Sequence, residues 1–275
     1  MCRENPKGGI VTVLTIGAEA FHLNVLTLAD TPREQLDSEA MAIYGMFAQR
    51  EREFGFGPDI VIEYPAIDDP RTSGFLTDPT GYIADRLPEI EQRGPIGRIV
   101  ILTTYGQQLL GPLTAAGYLA DQIDLPAGPD HTYAFTLDRA VPAAGRVLYL
   151  EAVNEADEKI RPTFVLKLLD RDGQLCGGAC GSVHARDGQR YAYLATLTLI
   201  AGLPPGTGTA LARAMIAELR RQGVVTVHLG TQTAGRFYEK LGFHVTHRLV
   251  SGLRMRDSAG GQHLRDDLVM LRMDL

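Results

Sequence analysis

The chain has 275 residues, 45% hydrophobic and 22% charged, with a formal net charge of −6. At about 100–200 residues per domain this allows one or two domains, each able to bury a real core. The acidic balance without a Lys/Arg run excludes a nucleic-acid surface, and no apolar run reaches the roughly 20 residues that cross a bilayer, so neither partner is expected. The three cysteines, Cys2, Cys176 and Cys180, are an odd set and read as free thiols rather than a disulfide framework or metal pair. Cys176 and Cys180 are expected on the same face of one strand. The opening "MCRENPKGG" lacks an apolar signal core, so a cytoplasmic home is expected.

In chain order, "IVTVLTI" (10–16) and "LNVLTL" (23–28) read as short strands. A helix follows from "TPREQLDSEAMAIYGMF". Thr31 is placed to cap it, Pro32 suits its first position, Glu34 completes a capping box, and Ala40, Ile43, Tyr44 and Phe47 repeat at helical spacing. Residues 54–97 are rich in Pro, Gly and Asp and hold one candidate strand, "DIVIEY", and one short helix near "YIADRLPEI". "GRIVILTTY" reads as a strand followed by a helix to about residue 121. "LPAGPDH" (125–131) has turn composition and marks the expected boundary between domains 1–129 and 130–275. Beyond it, "RVLYLEAV", "TFVLKLLD", "QLCGGACGSVHA" and "RYAYLATLTLI" read as strands, the last three forming an antiparallel meander. A strand–helix–strand pattern then closes the chain, so the fold class is α/β in the α+β sense, with a mixed sheet.

The stretch "LIAGLPPGTGTALARAMIAEL" (199–219) joins the end of a strand to the head of an amphipathic helix with Leu211, Ala212, Met215, Ile216 and Leu219 on its buried face. Such a helix start presents unpaired N–H groups and the positive end of the dipole, and Gly206 and Gly208 permit close approach, so the turn suits a phosphate. It is neither a P-loop, since Thr209 and Ala210 follow Gly208 where Lys and Ser/Thr are needed, nor a Rossmann fingerprint, since Leu211 takes the third glycine's place.

A second segment, "AGRFYEKLGF" (234–243), follows the strand "VVTVHLGT". Phe237 and Leu241 share a helix face, and Gly242 is placed to end the helix. Together "GTGTAL" and "AGRFYEKLGF" resemble the GNAT superfamily of N-acetyltransferases. In that family an Arg/Gln-x-x-Gly-x-Gly/Ala loop binds the coenzyme A pyrophosphate, and an Ala-x-x-x-Tyr-x-x-x-Gly-Phe-like segment forms the next helix. The resemblance covers roughly residues 130–275 and implies a GNAT-like acyl-CoA-binding fold with an N-terminal α/β extension of unassigned role. A degenerate second GNAT-like unit is an alternative for that extension. The chain departs from the family's pattern at Leu203, where Arg or Gln is usual, and at Pro204 and Pro205, which have no N–H to offer.

The resemblance implies acetyl-CoA or another acyl-CoA as cosubstrate, without a metal, and an amine of a small molecule or peptide as acceptor; a homodimer is admitted. It implies that Gly206, Thr207, Gly208 and Thr209 bind the diphosphate, with Phe237 beside the coenzyme. Leu197 and Thr198 would pair with the pantetheine arm, and the Leu199 N–H would polarise the carbonyl. It makes Tyr238, protonated at pH 7, the acid for the leaving thiolate. The base is open among Glu151, His184, Tyr193 and His228, with Glu151 and His228 placed first. His228 alternates with Val225, Val227 and Leu229, so it faces away from the apolar side of its strand. Arg236 and Lys240 lie within reach of a coenzyme phosphate. A non-catalytic acyl-CoA sensor and acyl transfer from a carrier-protein thioester are the alternative functions.

Overall fold

The described residues form, in chain order, β1 (Arg3–Glu4), β2 (Ile10–Ile16), β3 (Glu19–Thr27), α1 (Arg33–Arg52), β4 (Gly55–Phe56), β5 (Ile60–Glu63), α2 (Pro79–Gln92), β6 (Ile96–Thr103), α3 (Gly106–Ala115), β7 (Tyr118–Gly128), β8 (His131–Arg139), β9 (Arg146–Ala152), β10 (Phe164–Leu169), β11 (Leu175–Arg186), β12 (Gln189–Leu199), α4 (Thr207–Arg221), β13 (Val224–Thr231), α5 (Gly235–Lys240), β14 (His244–Val250), β15 (Arg254–Arg256), β16 (Gln262–Leu264) and β17 (Leu268–Asp274). This computed structural model describes residues 3–4, 10–52, 55–56, 60–63, 78–103, 106–128, 131–139, 146–152, 161–231, 234–250, 254–256, 262–264 and 267–275, and the side chains of a smaller set.

The chain divides into two compact units. One comprises Met1–Gly55, Ile160–Thr246 and Val269–Leu275; the other comprises Phe56–Lys159 and His247–Leu268. The boundary expected at 129/130 differs from this division. It falls inside the β7–β8 hairpin, whose register pairs Pro126 with Thr132 and Gly128 with His131. Turn composition there marks a tight hairpin within a unit rather than a link between units. The N-terminal strands and α1 accordingly belong with the C-terminal third of the chain.

The first unit is built on a nine-stranded mixed sheet in the order β1-β2-β3-β10-β11-β12-β13-β17-β14. The meander β10–β11–β12 is antiparallel, as its short turns imply, and β13 then adds parallel to β12. α4 provides the crossover this parallel pair needs. Leu211, Met215, Ile216 and Leu219 of α4 pack with Phe21, Leu23, Phe164, Leu166, Ala192, Leu194, Val227, Leu229 and Leu271 on one sheet face. On the other face, Leu36, Ala40 and Ile43 of α1 pack on Leu26, Val165 and Cys180.

Three local expectations are corrected. Thr31 does not cap α1: its hydroxyl is buried with no hydrogen-bond partner among the described residues, and the Leu36 N–H instead donates to the Pro32 carbonyl at 3.0 Å. Cys176 and Cys180 do not share a face. A bulge, in which Leu168 faces Gly177 while Leu169 faces Leu175, turns Cys176 into the α4-side core and leaves Cys180 on the α1 side. Val225 is likewise bulged outward to 41% exposure, and Val224 takes its place in the core.

The second unit holds a five-stranded sheet, β5-β9-β6-β8-β7, in which β5, β9 and β6 run parallel. Its core gathers Ile83, Leu87 and Ile90 of α2 with Leu109 and Leu113 of α3 and with Ile96, Ile99, Tyr118 and Leu148. Asp78 caps α2 through the Gly81 N–H at 2.9 Å. Among the described residues no helix is long and apolar enough to cross a membrane.

Candidate functional site

Two parallel strands part in the middle of the first unit's sheet. β12 and β13 pair from Arg190/Val224 to Leu194/Leu229, yet β12 continues to Leu199 and β13 to Thr231. The parting coincides with a further bulge. Cys180 faces Thr196 and Gly181 faces Leu194, so Ala195 has no opposite residue on β11 and is exposed. Beyond the bulge β12 stays on β11, and the Ile200 N–H donates to the Cys176 carbonyl at 2.8 Å. Alternation in an antiparallel ladder then turns the N–H groups of Thr196 and Thr198 toward β11, and those of Leu197 and Leu199 toward the opening. Thr198, expected beside Leu197 as a ligand-pairing residue, therefore serves the sheet with its backbone. Its side chain is buried.

The head of α4 lies at the same end of β12. Gly206 is its N-cap at φ 94°, a conformation that side chains resist. The N–H of Thr207 donates to the Pro204 carbonyl at 3.2 Å and its hydroxyl donates to the same oxygen at 2.7 Å. Thr207 is thus occupied in shaping the turn and is not an outward donor, contrary to the sequence expectation. The first-turn amides of Gly206, Gly208 and Thr209 remain the groups suited to an anion. A Cβ added at Gly208 would lie 3.4 Å from Leu199 Cδ1 and 3.7 Å from the Phe237 ring. The glycine turn, the end of β12 and α5 therefore meet at one point.

α5 ends as its sequence implies. The Phe243 N–H donates to the Tyr238 carbonyl at 3.1 Å and the Gly242 N–H to that of Glu239 at 3.0 Å, with Gly242 at φ 102°. This cap returns Phe243 onto Tyr238, with ring centroids 5.5 Å apart; Phe237 also packs edge-on to Tyr238, at 5.0 Å. Tyr238 is 6% exposed, and burial raises its phenol above the ordinary tyrosine value. The ring thus keeps its proton at neutral pH. Arg236 and Lys240 point outward and are exposed.

The sheet face opposite α4 is polar just short of the parting. Register places Ser182, Tyr193, His228 and Arg272 in one transverse row across β11, β12, β13 and β17. His184, Tyr191, Thr226 and Asp274 form the adjoining row. His184 Nε2 lies 2.8 Å from Ser182 Oγ, and its ring stacks on Tyr191 with centroids 5.4 Å apart. Tyr191 in turn meets His228 edge-on at 6.3 Å. Burial lowers the His184 pKa to about 4, which keeps that imidazole neutral. His228 is buried, and it faces away from the Val227 and Leu229 side as its alternation implies.

Of the base candidates, His184, Tyr193 and His228 come together on this face. Glu151 does not: it lies on β9 of the second unit, because the strand "RVLYLEAV" joins β5 and β6 rather than the meander. Its side chain lies outside the described residues. Sequence reading missed Ser182, Tyr191, Thr226 and Arg272. Alternation marks each as off the apolar side of its own strand, but only register brings the four strands together.

No family model matches the chain, and no curated protein matches it. Solved structures do. The ribosomal-protein-S18-alanine N-acetyltransferase from Escherichia coli is 22% identical, covering 40% of this chain and 67% of its own, with a TM-score of 0.31. A GCN5-related N-acetyltransferase from Kribbella flavida is 21% identical over 41% of this chain and 67% of its own, at 0.32. The IAA acetyltransferase from Bacillus cereus ATCC 14579 is 15% identical over 42% and 79%, also at 0.32. Each of these matches spans about 40% of this chain.

Proposed function

We propose that the chain is an N-acyltransferase that moves an acetyl or short acyl group from a coenzyme A thioester to an amine by direct attack. The observation that carries this reading is the parting of β12 from β13 at the Ala195 bulge, with the first turn of α4, Phe237 and Tyr238 gathered at the same end. The amides of Gly206, Gly208 and Thr209, with the positive end of the α4 dipole, hold the diphosphate. Leu197 pairs with the pantetheine arm as an added strand would, and the Leu199 N–H polarises the thioester oxygen. An amine with a pKa near 10.4 is mostly charged at pH 7 and must lose a proton to attack. His228 takes that proton, directly or through a water. The nitrogen attacks the carbonyl carbon, the C–N bond forms, the C–S bond breaks, and the thiolate takes the Tyr238 proton; the new amide nitrogen gives up its surplus proton to water, from which the phenolate recovers its own.

Acetyl-CoA raising the melting temperature by mass action, followed by mass-resolved screening of acyl donors against mixed amines, tests donor and acceptor together. The absence of any thermal shift at millimolar acetyl-CoA overturns the reading. A second reading, a non-catalytic acyl-CoA sensor, is favoured by one feature: Pro204 and Pro205 offer no N–H and Thr207 bonds within the turn, which leaves three main-chain donors. Saturable binding without turnover over a broad amine panel selects it. Transfer from a phosphopantetheinyl carrier exceeding that from the free coenzyme selects the carrier-protein alternative.

A further inference from the structure

We propose that the acceptor carries a carboxylate beside its amine, as a free amino acid does, and that Arg272 selects it. The proposal rests on the acyltransferase reading above. A donor anchored at the head of α4 enters the opening from the α4 side. That side is filled by Leu194, Leu211, Met215, Leu229 and Leu271, so the amine reaches the carbonyl from the opposite face. The polar row lies there, and Arg272 is directly opposite His228 on the adjacent strand. Directly opposed side chains start about 4.5–5.5 Å apart at Cβ. The guanidinium is therefore one strand away from the base, a spacing that suits an amine and a carboxylate borne on one carbon.

The charges on this part of the face fit the same acceptor. Arg272 Nε and Nη2 both donate to a single oxygen, Asp274 Oδ1, at 2.9 and 2.7 Å. The pair is exposed, at 44% for Arg272 and 65% for Asp274. Exposed pairs of this kind are held weakly and exchange readily. The Nη1–Nη2 edge remains to grip a carboxylate bidentately. Asp274 is the one acid of the two rows, and Arg272 already lies on it. An acceptor with a second ammonium meets Arg272 there and gains no acid of its own. A peptide N-terminus, whose neighbouring carbonyl is an amide, lacks the anion.

The test compares acceptors that differ only by the carboxylate, phenylalanine against phenethylamine and leucine against isoamylamine, in the wild type, Arg272→Met and Arg272→Lys. The wild type is expected to favour the amino acid by at least about tenfold in kcat/KM, the scale of a charged bidentate contact. Arg272→Met brings that ratio close to one, mainly through KM for the amino acid, and Arg272→Lys restores part of it. Equal or better use of the decarboxylated amines by the wild type overturns the proposal and leaves the acyltransferase standing. An unchanged ratio in Arg272→Met also overturns it, because the preference then lies elsewhere. Acetyl-CoA binding without turnover of either partner overturns it too, and no acetyl-CoA binding at all removes both readings.

Discussion

Replacing Thr207 by Val tests whether the proline-containing turn is held ready for its ligand. The two side chains are nearly isosteric and both β-branched, so the helix start keeps its shape while one hydroxyl is lost. That hydroxyl donates to the Pro204 carbonyl at 2.7 Å from a buried residue. A neutral hydrogen bond of this kind contributes about 0.5–1.5 kcal/mol. The Thr207 N–H still reaches the same carbonyl at 3.2 Å, so the oxygen is not orphaned and the cost stays within that range. A less ordered turn must be ordered on binding, so the loss reappears in affinity. At about 1.4 kcal/mol per factor of ten, the acetyl-CoA Kd should rise roughly two- to tenfold, with little change in kcat at saturation. Isothermal titration with acetyl-CoA reads the first quantity and steady-state turnover the second. An unchanged or tighter Kd with an intact fold refutes the idea that Thr207 preorganises the turn. A collapse of kcat shows that Thr207 touches the chemistry.

Other expectations follow from the same geometry. Tyr238→Phe retains the aromatic packing between Phe237 and Phe243, so kcat should fall while the acetyl-CoA Kd stays within about twofold; unaltered kcat removes the acid assignment and nothing else. Because burial raises the Tyr238 phenol above its ordinary value near 10, its proton is retained through pH 9, and the wild-type minus Tyr238→Phe difference spectrum should show no phenolate below that pH. Gly181→Ala places a Cβ against the Tyr193 carbonyl oxygen and the Phe164 ring, next to the Ala195 bulge. It should cost at least about 1–3 kcal/mol in urea denaturation, and a midpoint within error of wild type would show that this close approach is not needed. His184 has a folded pKa near 4, below its unfolded value of about 6.5, so the unfolded state binds its proton first. Stability should therefore fall as pH drops from about 6.5 to about 4. His184→Gln should flatten that limb, and an identical slope in the variant would locate the effect in other groups.

Local backbone structure was legible wherever it depended on residues close in sequence. "GTGTAL" specifies a helix start because Gly206 takes φ 94° and the Leu211, Met215 and Leu219 stripe follows at once. "FYEKLGF" specifies a capped turn because Gly242 and Phe243 close it within the segment itself. What failed depended on register or on partners far along the chain. Cys176, Val225 and Ala195 are bulged, and one extra residue reverses every later inference from alternation. The composition of "LPAGPDH" could mark a linker or a hairpin, and only the pairing of β7 with β8 decides between them. Glu151 is a base candidate on composition alone, and its strand adds beside β6 in another sheet.

The bulge at Ala195 also gives a reason for dividing acid and base across the sheet. In the proposed reaction the phenol serves the leaving sulfur and the imidazole the attacking amine, so the two are needed on different sides of the carbonyl. Tyr238 packs within the α4-side core with Phe237 and Phe243, whereas His228 lies on the polar face with Tyr193 and Arg272. The sheet itself separates them, and β12 leaves β13 just beyond Leu194 and Leu229. On the proposed reading, a thioester carbonyl held in that opening by the Leu199 amide would present its sulfur to one face and its carbon to the other. The acid and the base would then act from opposite sides of the carbonyl, positioned by where two strands part as much as by either side chain.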